Sequence, residues 1–102
     1  MASRLKLHEE LIEILGTENV YFDPPASALM HYDAIRYSLA DPNIKRANNG
    51  VYLVTNQYDG VVITYDPEST IPDSILRHFP MCSLGRPYVA DNLHHFPFTI
   101  YY

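Results

Sequence analysis

The sequence predicts an α+β domain: a mainly antiparallel sheet of about four or five strands with two helices packed on one face, in the order α-β-β-β-α-β-β. Three observations lead there. Apolar residues recur at helical spacing in only two stretches, one at the N-terminus and one near residues 69–80. Elsewhere the apolar residues are mostly Val, Ile, Tyr and Phe in short runs, the composition of strands. Those runs are grouped between and after the helices rather than alternating with them, which favours antiparallel pairing.

In chain order, Ser3 is placed to cap a first helix whose apolar face is Leu7, Leu11, Ile14 and Leu15. Glu9, Glu10 and Glu13 take the opposite, solvated side, and Gly16 stands where a left-handed residue closes a helix. "NVYFDPP" is a short extended piece stopped by Pro24 and Pro25, which cannot donate to a ladder. Residues 26–33 read as a loop and "AIRYSLA" as a second strand.

The polar connection "DPNIKRANNG", residues 41–50, is longer than the about two to five residues usual in a hairpin. Its Asn43, Ile44, Lys45 and Arg46 are candidate interface residues, a contact arm toward a neighbouring subunit or a partner. "VYLVTNQYDGVVITYD" allows two readings. Asp59-Gly60 is a hairpin turn signal that would split it. Alternatively it is one long strand with Tyr52, Val54, Tyr58 and Val62 on one face and Gly60 at a bulge or close contact.

"DPESTIPDSILRHFP" is the second helix, with Ser69 or Thr70 before Pro72 in the first turn. Its apolar stripe is Ile71, Ile75, Leu76 and Phe79, and Pro80 ends it. The remaining residues read as two strands around an Asp91-Asn92 turn. In "FPFTIYY" Pro97 takes the first strand position; Phe98, Ile100 and Tyr102 share the core face, and Thr99 and Tyr101 the other. An unpaired strand this apolar would be an aggregation template. It is therefore expected to be paired, its final tyrosines against the domain's own helix or a neighbouring subunit, with Tyr101 the candidate interface residue.

A length of 102 residues fits one domain, 1–102, with a single modest core. With 47% hydrophobic and 19% charged residues the composition is globular. No run reaches the roughly 18 apolar residues of a membrane span. Acids interrupt the N-terminal apolar stretch, unlike a signal peptide. One cysteine, Cys82, excludes an internal disulfide and fits a reducing compartment. A net charge of −5 argues against general nucleic-acid affinity, which needs a cationic face.

The residue types of catalysis do not assemble into a pattern. His94-His95 are adjacent on a strand and point to opposite faces, so they cannot share a metal there. His31, His78 and Cys82 lack zinc-ligand spacing, and Cys82 reads as a small core residue. There is no Gly-rich phosphate loop, no G-x-S-x-G and no H-E-x-x-H. No catalytic residue, metal or cofactor is expected, and the chain is not read as an enzyme. Nine tyrosines suit strands at Tyr37, Tyr52 and Tyr58, and Tyr is also a residue of interfaces.

Three stretches, "LHEELIEILGTENVYFDPP", "YDPESTIPDSIL" and "VADNLHHFPFTIYY", in that order and spacing, resemble a family of small proteins from tailed-phage and prophage structural modules. In that family a helix followed by "NVYFxPP" opens the chain, "DPDSxIPDxL" marks the second helix and "ADNLxHxxFxLYY" closes it. The resemblance covers nearly the full length. These proteins lie among the head–tail joining genes and look like tail terminator, or tail completion, proteins.

The resemblance implies a sheet with flanking helices, assembled into a hexameric ring that caps the tail tube and docks to the head connector. Its implied partners are further copies of the chain, the tail tube protein and the head connector or head-completion protein. Genomic DNA would pass through the ring without specific binding, no membrane would be involved, and the protein would reside at the virion's head–tail junction after assembly in the host cytoplasm. In the matching family segment the positions of Asp59 and Gly60 lie inside a continuous strand. That favours the long-strand reading, while the Asp-Gly pair itself keeps the hairpin open. Other neck ring proteins, such as head-completion or stopper proteins, fit the same module. A monomeric small-ligand-binding α+β domain is the alternative from another class.

Overall fold

The computed structural model describes residues 4–25, 27–40 and 56–102. Its elements run α1 (Arg4–Leu15), β1 (Val20–Phe22), β2 (Ala34–Leu39), β3 (Gln57–Thr64), α2 (Ile71–His78), β4 (Cys82–Leu84), β5 (Tyr88–Ala90) and β6 (Leu93–Tyr101). This is the α+β class. The expected sheet of four or five strands is a sheet of six, because the segment after α2 folds into three strands rather than two. The sheet is also mixed: β1 pairs parallel to β2, and every other pairing is antiparallel.

Both helices lie on one face. Leu7 and Leu11 of α1 and Ile75 of α2, with Phe79 just after it, are buried against Ile35, Tyr37, Tyr58, Val62, Phe98 and Ile100 of the sheet. The helical periods of the sequence produce these contacts directly, with one exchange. In α2 the buried residues are Pro72 and Ile75, while Leu76, placed in the apolar stripe, is 46% exposed. Gly16 closes α1 at φ +88°, its N–H bonded to the Ile12 carbonyl at 2.8 Å. Ser3, the expected cap, lies outside the described residues.

The strand β3 is continuous through Asp59-Gly60, so that pair is not a hairpin turn. Gly60 is a close-contact position. It sits opposite Phe98, and a Cβ added to it would lie 2.7 Å from Phe98 Cε1 and 3.0 Å from the Arg36 carbonyl. The missing side chain lets the Phe98 ring lie across the neighbouring strand. Tyr52 and Val54, assigned to the same strand face, lie outside the described residues.

The hairpin β5–β6 turns at Asp91 and Asn92, both at positive φ (53° and 65°), as a two-residue primed turn requires. From there β6 runs for nine residues. It pairs with β3 along one side, and with β5 and then β4 along the other. Pro97 therefore lies inside the strand, not at its first residue. Its backbone faces the side where β5 has ended and β4 has not begun, and its carbonyl accepts from Gly85 N–H at 2.9 Å. The N–H it lacks would point into that gap, so no bond to β3 is lost.

The eleven residues from 23 to 33 carry the chain back for the parallel β1–β2 pair. Their Met30 and Tyr32 pack on Val61, Ile63 and Leu93, a small second cluster on the face away from the helices. The sequence marks residues 26–33 as a loop and gives no sign of that role. Among the described residues no helix is long and apolar enough to cross a membrane.

Candidate functional site

The helices leave the other face of the sheet uncovered wherever the Met30–Tyr32 loop does not reach. Strand alternation decides what that face displays. Paired positions give one transverse row of Tyr21, Arg36, Val61 and Pro97, and a second of Ser38, Asp59, Thr99 and Ser83. Asp23 adjoins the second row, held by its N–H to the Tyr37 carbonyl at 2.7 Å, with a left-handed φ of 46°.

Short polar side chains in a row, between longer ones, leave a groove of about 350 Å³. Its floor is Arg36, Ser38, Asp59, Val61 and Pro97, and Asp23, Pro24 and Tyr88 stand around it. Asp59 accepts on Oδ1 from Thr99 Oγ1 at 3.0 Å and from Gln57 Nε2 at 3.2 Å. Its Oδ2, the Asp23 carboxylate and the Arg36 guanidinium have no partner among the described residues. All three side chains are exposed. Tyr88 is braced by stacking on His95, ring centroids 4.7 Å apart and 16° from parallel.

Of the candidate interface residues, Tyr101 falls on this open face, 39% exposed, in the row beside the polar one and opposite Gln57. Phe98 and Ile100 are buried on the helix face, as the alternation of the segment required. Asn43, Ile44, Lys45 and Arg46 lie outside the described residues. The groove residues were not singled out from sequence, because they come from five separate segments. The available signal was the alternation of β2, β3 and β6, which puts Arg36, Ser38, Asp59 and Thr99 on one side once register is known.

The helix face carries two polar contacts at its rim. Tyr102 N–H and C=O pair with Asn56 at 3.0 and 3.1 Å, and its hydroxyl donates to Glu10 Oε2. Glu10 Oε1 meets His78 Nε2 at 2.7 Å. Glu10 is thus no member of a freely solvated face; the end of α2 and the end of β6 converge on it. Burial pushes the Glu10 carboxyl up, but bonds from Tyr102 and His78 and the charges of His78 and Lys6 outweigh this and hold it below its ordinary value. Burial, then the bond and charge of Glu10, push the Tyr102 hydroxyl up to about 12.

The second contact joins His8 Nδ1 to the buried Tyr37 hydroxyl at 2.7 Å. Burial and then the nearby Arg4 charge lower the His8 pKa, against a smaller opposing effect of Glu9. Arg4 also lies over the Phe22 ring, 4.2 Å from its centroid.

Neither contact resembles a catalytic constellation. Among the described residues no group of three or more His, Cys, Asp or Glu could hold a metal ion. His94 and His95 stand on opposite faces of β6, and His95 Nδ1 bonds the Leu93 carbonyl at 3.0 Å. Cys82, the first residue of β4, is half-buried, its thiol directed at the Ile75, Leu76 and Phe79 carbonyls around the end of α2 and its pKa raised by burial. Burial there disfavours the thiolate form. Compared with known proteins, the chain matches no family model, no curated protein and no solved structure.

Proposed function

We propose that this protein is a structural component of a tailed-phage virion, a tail terminator that assembles into a hexameric ring, caps the tail tube and joins it to the head. The observation that carries the reading is the resemblance of three segments, in order and spacing, to the head–tail joining family. Each of those segments forms part of the domain's frame: α1 with β1, the start of α2, and the β5–β6 hairpin. A two-layer domain of this kind also suits ring building. The helices seal one sheet face, and the other keeps a polar groove and the exposed Tyr101 for contact between copies.

The role needs no chemistry. A capping ring stops further stacking of tube subunits and presents a different surface to the head. A ring of chains each carrying −5 repels DNA passing through it rather than gripping it. The deciding experiment adds the purified chain to polymerising tail tube protein from the same virion. Capped tubes of bounded length, with a ring at one end by electron microscopy, are expected. Tubes that lengthen equally with and without stoichiometric chain refute the proposal.

A further inference from the structure

We infer that copies of this chain join edge to edge, β4 of one pairing with β1 of the next, so that the sheet continues from subunit to subunit. The inference specifies the subunit contact of the ring proposed above and rests on that reading only for closure. β1 and β4 are the two ends of the strand order β1-β2-β3-β6-β4. The Met81 carbonyl and Gly85 N–H bond β6 at 2.9 Å each, so alternation turns the backbone groups of Cys82 and Leu84 outward. On β1 the Asn19 carbonyl and Asp23 N–H bond β2 at 3.0 and 2.7 Å, which turns Val20 and Phe22 outward. Val20 N–H bonds the Glu18 carbonyl; the other outward groups of both edges have no partner among the described residues. Neither strand carries a charged side chain, a usual guard of a sheet edge.

The two edges fit each other in direction, facing and charge. β1 is parallel to β2, and three antiparallel pairings separate β2 from β4, so β4 runs opposite to β1. A head-to-tail repeat therefore sets β1 of the next copy antiparallel to β4, a heterologous contact of the kind that closes rings. The outward residues of both edges also point their side chains to the helix face, Val20 and Phe22 beside Ile35 and Tyr37, Cys82 and Leu84 beside Ile100 and Phe98. Pairing them keeps the helices of successive copies on one side. Overlapping the two three-residue edges fully puts Tyr21 opposite Ser83. In that register Pro24 meets Pro80, neither with an N–H to give, and the ladder stops. At the other end Glu18 meets Arg86, both exposed and without a side-chain partner among the described residues.

The test uses the full chain with Cys82→Ser as background, carrying Glu18→Cys and Arg86→Cys. Within one chain β1 and β4 lie about 19 Å apart, four strand spacings, whereas a disulfide spans about 7 Å between Cα atoms, so an 18–86 bond joins two copies. Mild oxidation should give a ladder of linked oligomers that a control with Glu13→Cys in place of Glu18→Cys lacks. In the native background Arg86→Glu should weaken self-association about fivefold, the factor given by ~1 kcal/mol of lost ion pairing, and adding Glu18→Arg should restore it. Leu84→Pro removes only an outward N–H, so it should keep the native Tm and abolish association. Native mass spectrometry across a dilution series reads the last three variants. A ring whose 18–86 ladder equals the control, or an Arg86→Glu loss that Glu18→Arg does not restore, overturns the edge contact and leaves the ring. An 18–86 ladder in open chains that never close, even on tail tubes, supports the contact and removes the ring reading. Chains that stay monomeric both alone and on tail tubes overturn the two together.

Discussion

Replacing Glu10 by Gln tests how the last strand is fastened to the two helices. In the native chain one carboxylate holds three elements: its own α1, His78 at the end of α2, and Tyr102 at the end of β6. A hydrogen bond to a charged group contributes about 1.5–3 kcal/mol when shielded. The Glu10 side chain is 23% exposed and that of His78 43%, so solvent screening reduces the His78 pair to about 0–1 kcal/mol. Gln keeps one acceptor and loses the charge, so the expected loss is about 1–2 kcal/mol. In a domain of this size that is a fall in Tm on the order of 4–15 °C.

The pH dependence has a definite sign. The folded Glu10 pKa is lowered, so its contribution is present above the unfolded value, about 4.3, and is lost as pH falls through the folded one. For Tyr102, raised to about 12, the contribution is complete below pH about 10 and is lost between about 10 and 12, where the unfolded hydroxyl ionises first. Urea denaturation of wild type, Glu10→Gln and Tyr102→Phe from pH 3 to 11.5 would measure this. The gap between wild type and Glu10→Gln should be present at neutrality and shrink in acid, as pH falls through the lowered folded value of Glu10. The gap to Tyr102→Phe should narrow above pH about 10. A Glu10→Gln gap that is absent at neutrality, or constant down to pH 3, would show that the carboxylate does not fasten the strand.

Gly60→Ala should destabilise by about 1–3 kcal/mol, because the new methyl group meets the Phe98 ring and the Arg36 carbonyl; a smaller effect in a Phe98→Leu background, measured by urea midpoint, would confirm the ring as the obstacle. Deleting residues 98–102 removes the buried Phe98 and Ile100, the C-terminal half of the β3–β6 ladder and the whole β4–β6 pairing, so the product should be insoluble or unfolded by circular dichroism, whereas Tyr101→Ala should keep the native Tm and lose only ring or tail assembly. A truncated chain that stays soluble and folded would refute that account of the terminal strand.

Much of this fold is legible because local pattern and long-range packing agree. Leu7 and Leu11 fall on one helical face and are fully buried. Asp91-Asn92 supplies a turn chemistry that few other pairs tolerate. The alternation in "FTIYY" puts Ile100 inside and Tyr101 outside without knowledge of any partner. What sequence does not carry is which element lies beside which. Pro97 looks like a strand boundary until β5 and β4 are seen to meet β6 in succession, leaving its backbone nitrogen opposite a gap. Glu10 looks solvated until Tyr102, 92 residues away, reaches it. Met30 and Tyr32 give no periodic signal, since an irregular crossover packs by position rather than by repeat. The groove was hidden for the same reason, its acids lying at Asp23 just past β1 and Asp59 on β3, which only register brings together.

The place of β6 between β3 and the β4–β5 pair also governs how the domain can form. Partners such as Thr64 and His94, or Gln57 and Tyr101, are 30 to 44 positions apart, so loop-closure entropy must be met before the central ladder returns any stabilisation. In the β1–β2–β3 half Tyr58 and Val62 have Tyr37 and Ile35 of β2 on one side, but their other side is filled only by Phe96, Phe98 and Ile100 of β6, and the pairings of β4 and β5 are both with β6. The meeting of β3 with β6 is thus the high-contact-order step of this sheet, and β6 ties its two sides into one unit.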